Sequence, residues 1–290
     1  MLHLPGATRA RSLADGLDHP EGVAWSPNER AVYAGGEAGQ LYRVSLESGS
    51  VEVVAHVGGL VLGVTVDGQD RVIACVPGIG TLAVFDGAQT HQLVSAVEGR
   101  PLATPNYAAF GQDGTLFFTD SGTWEAHDGR LLTMSPDGQT SVFSDALNRF
   151  PNGCAVTHDG RWLWVVESLG PTVSRFDLRD GGPPELMLRL HGHVPDGLAF
   201  TQDGGVLVTC YRPDRIYHLD ASGALQVVAQ DPHGTLLAAP TNVCFVGPDL
   251  DQVVSANLGR WHLTLLELGL RGTPLHRPGR WGFDALTDTL

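Results

Sequence analysis

PEGVAW, residues 20–25, puts a carboxylate, Glu21, at the mouth of a short apolar run where a strand would be better served by a β-branched residue. The same stretch returns along the chain. Aligned on it are LGVTVDGQD from Leu62, NYAAFGQDG from Asn106, NGCAVTHDG from Asn152, DGLAFTQDG from Asp196 and NVCFVGPDL from Asn242. The starts at 21, 62, 106, 152, 196 and 242 are 41, 44, 46, 44 and 46 residues apart. Three units carry Asp-Gly seven or eight residues in, followed by a second apolar run: TLFFTD, RWLWVVES and GVLVTC. Two short strands joined by an Asp-Gly turn make a β-hairpin.

A third run follows each hairpin (QLYRVSL, RLLTMS, TVSRFDL, RIYHLD) and then a fourth (VEVVAHV, TSVFSDAL, ELMLRL, LQVVAQ). Four strands per unit at a period of about 40–50 residues is the signature of a β-propeller. The runs alternate or are β-branched and aromatic, which disfavours a helical solenoid. The expected fold is therefore all-β: a six-bladed β-propeller with four-stranded blades, one domain over residues 1–290. ATRARSLADGL, ahead of the first unit, has a fourth-strand pattern without a blade of its own. It is expected to close the ring by pairing with the last unit's three strands. Residues 270–290 have no repeat equivalent and are expected to form a tail packed on the outside.

Composition narrows the chemistry. A net charge of −14 argues against nucleic acid or an anionic membrane as partner. All 18 basic residues are Arg, which removes Schiff-base chemistry, lysine-anchored pyridoxal phosphate and the phosphate-loop lysine. Cys75, Cys154, Cys210 and Cys244 lack CxxC spacing and sit in apolar runs, so buried reduced thiols are expected. No run of about 20 apolar residues could span a bilayer. MLHLPGATRARS holds no apolar stretch long enough for a signal peptide, which makes a cytoplasmic protein the expectation. No GxSxG motif supports a serine-hydrolase elbow.

In a propeller the first strand of each blade lines the central channel, so equivalent positions form a ring around the axis. Here the ring reads Glu21, Leu62, Asn106, Asn152, Asp196 and Asn242. A single Asn or Asp before a strand often does no more than cap a turn. Glu21 is a poor turn residue, and five oxygen-bearing side chains coincide. Two carboxylates among several carboxamides, with no thiolate, form a hard-cation set that suits Ca²⁺ best, with Mg²⁺, Mn²⁺ or Zn²⁺ as alternatives.

HPEGVAW, PNGCAVTHDG and PDGLAFTQDG resemble the blade motifs of the senescence-marker-protein, gluconolactonase and luciferin-regenerating-enzyme family, over nearly the whole chain. The resemblance implies a six-bladed propeller with one catalytic divalent metal in the channel. It implies Glu21, Asn152 and Asp196 as ligands, and Asn106 as a contact to substrate or to water on the metal. In the related diisopropyl-fluorophosphatases a corresponding Asn ligates calcium directly. The implied activity is hydrolysis of a lactone or related ester, the metal polarising the carbonyl and Asp196 accepting a proton from water or attacking directly. A phosphotriesterase-like activity, a non-hydrolytic rearrangement and a non-enzymatic binding propeller are the rivals, since fold alone does not give function.

His193, three residues before Asp196, is the candidate for assisting proton transfer. Sugar-lactone members carry Arg two residues before the third-blade Asn and Asp directly after it, where this chain has Thr104 and Tyr107. Thr104, Tyr107, Trp124, Tyr211, Asn242 and Trp261 are the expected substrate contacts. They predict a small-molecule lactone or ester less polar than an aldonolactone, whose hydroxyls an Arg would have bound.

Overall fold

A computed structural model describes residues 6, 7 and 9–287. Among these residues the chain forms six four-stranded antiparallel sheets and one two-stranded ribbon, with one 3-10 turn at Pro77–Ile79 and one short α-helix at Gly282–Thr287. Five sheets are consecutive in sequence. The sixth takes its fourth strand from the N-terminus: Arg9–Asp15 lies along His262–Glu267, with Arg9 opposite Glu267 and Asp15 opposite His262. The expected ring closure is therefore present, and residues 1–5 and 8 lie outside the described part.

The innermost strands of blades 1 to 6 are Val23–Ser26, Val64–Val66, Pro105–Phe110, Pro151–Val156, Val194–Phe200 and Val243–Val246. Successive side chains on a strand point to opposite faces of its sheet. Blade 1 shows the consequence: Val23 and Trp25 pack against blade 6, while Ala24 packs against blade 2. Alternation thus feeds every interface between neighbouring blades, and each interface holds one hydrophobic cluster. Outermost strands such as Val51–His56 and Glu185–Arg189 hold no buried residue, as edges facing solvent should.

All six inner strands start at the same end of the ring, called here the mouth, and run toward the far end. The tail departs from the sequence expectation. Instead of lying on the outside, residues 271–286 cross the far end as a strap. The Gly272 N–H donates to the Leu250 carbonyl (2.8 Å) in blade 6, and the Thr273 N–H to Phe200 (3.1 Å) in blade 5. His276 Nε2 donates to the Thr157 carbonyl (3.0 Å) in blade 4. In blade 2 the Gly68 N–H donates to the Pro278 carbonyl (2.9 Å), and Arg277 binds the Asp67 carbonyl (2.8 Å). Trp281, 1% exposed, packs edge-on against Phe110 of blade 3 and donates its Nε1–H to Asp67 (2.8 Å). The physical reason is burial: the apolar ends of the inner strands, Phe110, Phe200 and Phe245–Val246, would otherwise stand at an open channel end.

Candidate metal centre

Proline precedes the ring residue in four blades (Pro20, Pro105, Pro151, Pro195), fixing an extended entry with no N–H to satisfy. Five ring residues are buried: Glu21, Asn106, Asn152, Asp196 and Asn242. Glu21 Oε2 and the Oδ1 atoms of Asn106, Asn152, Asp196 and Asn242 have no hydrogen-bond partner among the described residues. A buried orphan costs about 1–3 kcal/mol, and most native buried polar atoms are paired. Five orphaned oxygens, two of them carboxylate, at equivalent positions around one axis form a donor set that fits a hard divalent cation.

Two serines show how the carboxamides are aimed. Ser121 Oγ donates its one proton to the Pro151 carbonyl (2.6 Å), so toward Asn106 it can only accept, and the Asn106 Nδ2–H₂ faces it at 2.9 Å. Ser168 Oγ repeats this one blade on, donating to Pro195 (2.7 Å) and accepting from Asn152 Nδ2 (3.1 Å). With NH₂ fixed on the serine side, each Oδ1 is turned to the axis. The residue before each serine is an acid that holds the loop entering the same ring position. Asp120, fully buried and paired with Arg130 (2.8 Å), accepts from the Ala103 and Thr104 N–H groups. Glu167 accepts from the Arg149 N–H (2.9 Å). Ser121 and Ser168 are not among the expected site residues, but the sequence carries a signal for them: an acid-Ser pair (DS at 120–121, ES at 167–168) closes the second strand of adjacent blades.

Burial pushes the Glu21 and Asp196 carboxyls well above the ordinary range. The Asp196 charge adds to the shift at Glu21, and a hydrogen bond from the Asn152 side chain pulls Asp196 partly back. Two carboxylates that resist ionising side by side are what a divalent cation relieves. In blades 1, 2, 4 and 5, close approach of the neighbouring inner strand needs glycine directly after the ring residue. A Cβ on Gly153 would lie 2.6 Å from the Asp196 carbonyl oxygen, and one on Gly197 would collide with the Asn242 carboxamide. The four cysteines are free and buried as expected, with burial pushing Cys154 and Cys210 up to about 12, so they are inert thiols.

Other expected site residues fall differently. His193 has both ring nitrogens engaged, Nδ1 on the His191 carbonyl (2.9 Å) and Nε2 on the Tyr217 hydroxyl (2.9 Å). Since Nδ1 must donate to a carbonyl, Nε2 accepts from Tyr217, leaving no lone pair for substrate; the expected proton-transfer role is not supported by this geometry. The Thr104 hydroxyl donates to the Gly122 carbonyl (2.7 Å) and offers no free donor. Tyr107 is corrected most: it lines a cavity beneath the ring and packs beside Cys154, away from the loops around the mouth. Trp124, Tyr211 and Trp261 are on or next to those loops. Trp124 (53% exposed) rests edge-on against Phe150, Trp261 (54%) against His19, and the Arg212 guanidinium lies over Tyr211. Half-exposed tryptophans on two mouth loops give the rim an apolar character. Asp18, His19 and Glu37 also approach one another near the mouth, but Asp18 Oδ2 already accepts from the Ala38 N–H (3.0 Å) and serves as a loop staple.

A family model described as "SMP-30/Gluconolactonase/LRE-like region" matches residues 37–256. The chain belongs to this family. Among curated proteins, regucalcin of Oryctolagus cuniculus is 28% identical over 137 residues, 44% of each chain. The chain spans about half the length of the curated relatives it matches. Among solved structures, a gluconolactonase from Xanthomonas campestris superposes with a TM-score of 0.78 at 23% identity, covering 93% of this chain and 95% of that one. A calcium-binding regucalcin from Agrobacterium tumefaciens gives 0.73 at 17%, covering 93% and 97%. At these identities the structural likeness speaks for the six-bladed fold. The matched segment begins after Glu21 and ends before the strap. No helix among the described residues is long and apolar enough to cross a membrane.

Proposed function

We propose that this protein is a divalent-metal-dependent hydrolase that opens a lactone or related ester of low polarity. The observation that carries the reading is the set of five buried, unpartnered oxygens on Glu21, Asn106, Asn152, Asp196 and Asn242 at the channel mouth. Family membership, and gluconolactonase among the structural relatives, support hydrolysis of a cyclic ester. Calcium binding by a regucalcin relative supports Ca²⁺ as the cation.

Glu21, Asn152 and Asp196 would hold the ion, with Asn106 completing the set or facing substrate. When bound, the cation supplies Lewis acidity that polarises a carbonyl oxygen and makes water more acidic. Asp196 keeps one carboxylate oxygen without a protein partner, and it is the group positioned to take the proton of the attacking water. Asn106, with its NH₂ fixed on Ser121, presents only an acceptor toward the axis, so it orients a hydroxyl or a water and does not donate to a carbonyl. The rim of Trp124, Tyr211 and Trp261 and the occupied Thr104 hydroxyl favour alkyl-substituted lactones. A polyhydroxylated ring would leave hydroxyls without partners there, at about 1–3 kcal/mol each.

The test is kcat/KM for alkyl γ- and δ-lactones and for gluconolactone, corrected for spontaneous opening, with Ca²⁺ and with chelator. The expected result is Ca²⁺-dependent hydrolysis with alkyl lactones preferred. Full activity in chelator would remove the metal from the mechanism, and a preference for gluconolactone would overturn the reading of the rim.

A further inference from the structure

Beneath the metal ring the channel widens into a cavity of about 810 Å³. All six inner strands wall it, through residues such as Val23, Val64, Ala109, Val156, Phe200 and Phe245. None of the five oxygen-bearing ring residues lines it, so it is separate from the site described above. Thr273–Arg277 of the strap runs along its outer end, and exposed Pro27, Arg30, Glu47 and Asp251 mark where it meets solvent.

Three features set this cavity apart from a wetted hole on a symmetry axis. Its volume lies in the range of small-molecule sites, about 300–1,000 Å³. Its inner walls are mostly apolar (valine, alanine, leucine, phenylalanine and the Cys154 and Cys244 thiols, with Thr65 the polar exception), and wetting of such walls is unfavourable while their burial by a solute is favourable. Its inner part carries one phenol, that of Tyr107, in a place where blades 1, 2, 4 and 5 have glycine. Burial pushes that phenol well up, so it stays a neutral donor at any physiological pH. Charge is confined to the outer end, where Arg277 is held by Asp70 (2.6 Å).

We propose that this cavity is a second binding site, for one uncharged and mostly apolar small molecule bearing an acceptor such as a hydroxyl, ketone or ester oxygen. The acceptor meets the Tyr107 hydroxyl and the apolar body fills the walls. Entry is past Leu275, 49% exposed on the strap. The site does not depend on the hydrolase reading, because it shares none of the oxygens of the metal centre.

The test uses N-phenyl-1-naphthylamine, a neutral apolar fluorophore, titrated into the full-length protein. Saturable enhancement at one molecule per chain is expected, and it should be unchanged by chelator. Ala109→Phe, which extends a ring from a partly accessible wall, and Leu275→Arg, which sets a charge at the entry, should each weaken binding by about tenfold or more. Leu275 is exposed, so its variant decides even where Ala109→Phe fails to fold. No saturable binding, equal affinity in the variants, or loss of binding on chelation would each overturn the proposal.

Discussion

A serine hydroxyl has one proton, and that fact organises the candidate metal centre. Ser168 spends its proton on the Pro195 carbonyl and accepts from the Asn152 NH₂, so the Asn152 oxygen can only face the axis. Replacing Ser168 with Ala frees the carboxamide to turn. Calcium affinity, measured calorimetrically, should fall by about tenfold, the value of 1.4 kcal/mol, and Ser168→Thr should restore most of it. An unchanged affinity would show that the ring backbone alone aims Asn152. The carboxylates give a prediction of opposite sign for stability and binding. Glu21 and Asp196 resist ionisation because both are buried and each repels the other, so Asp196→Asn removes the cost while keeping the shape. The metal-free variant should melt higher than the metal-free parent and gain nothing from Ca²⁺. A lower melting temperature without metal would mean that Asp196 holds the fold by contacts beyond the ring.

The strap is the element that sequence periodicity could not read. It has no repeat partner, and its anchors are scattered backbone hydrogen bonds and single side chains that only the folded turns bring near. Arg71 lies between Asp67 and Asp284, 2.8 Å from Asp284, and Arg277 meets Asp70. The hydrogen bond from Arg71 pulls the Asp284 carboxyl down. Asp70 is also held low, because hydrogen bonds from Ser26, Asn28 and Arg277 outweigh the upward push of burial. A carboxyl lowered on folding contributes stability above its unfolded value, near 4, and loses it as pH falls through the folded value. Asp284→Asn should therefore cost about 1–3 kcal/mol in urea unfolding at neutral pH, and the gap to the parent should close below about pH 4. A pH-independent gap would assign the loss to packing of Trp281. The blades were legible because Asp-Gly turns and alternating runs recur every 41 to 46 residues, and the ring followed from that register. What failed were side-chain directions. His193 is three residues from Asp196 but turns to Tyr217, and Tyr107 directly follows a ring residue but enters the cavity below.

At the scale of the whole molecule, a six-bladed ring is a closed circuit whose weakest feature is its axis, where five blades contribute buried oxygens that lack partners. The N-terminal strand closes the circumference and the strap covers the far end, but among the described residues the ring oxygens at the mouth find no hydrogen-bond partner. A cation there would tie blades 1, 3, 4, 5 and 6 to one point, and the net charge of −14 favours its capture. Because such an ion binds the assembled ring and not the unfolded chain, it stabilises by RT ln(1 + [L]/Kd), about 2.7 kcal/mol at a hundredfold excess over Kd. Chelation should lower the melting temperature by several degrees, and Ca²⁺ should restore it in a concentration-dependent way. Elemental analysis after desalting should find one equivalent. In Glu21→Gln the melting curve should be indifferent to both chelator and Ca²⁺, whereas in Leu275→Arg the response should match the parent. A protein that keeps no divalent ion after reloading, and melts identically with and without chelator, would show that the five oxygens are satisfied by water alone, and the hydrolase reading would fall with them.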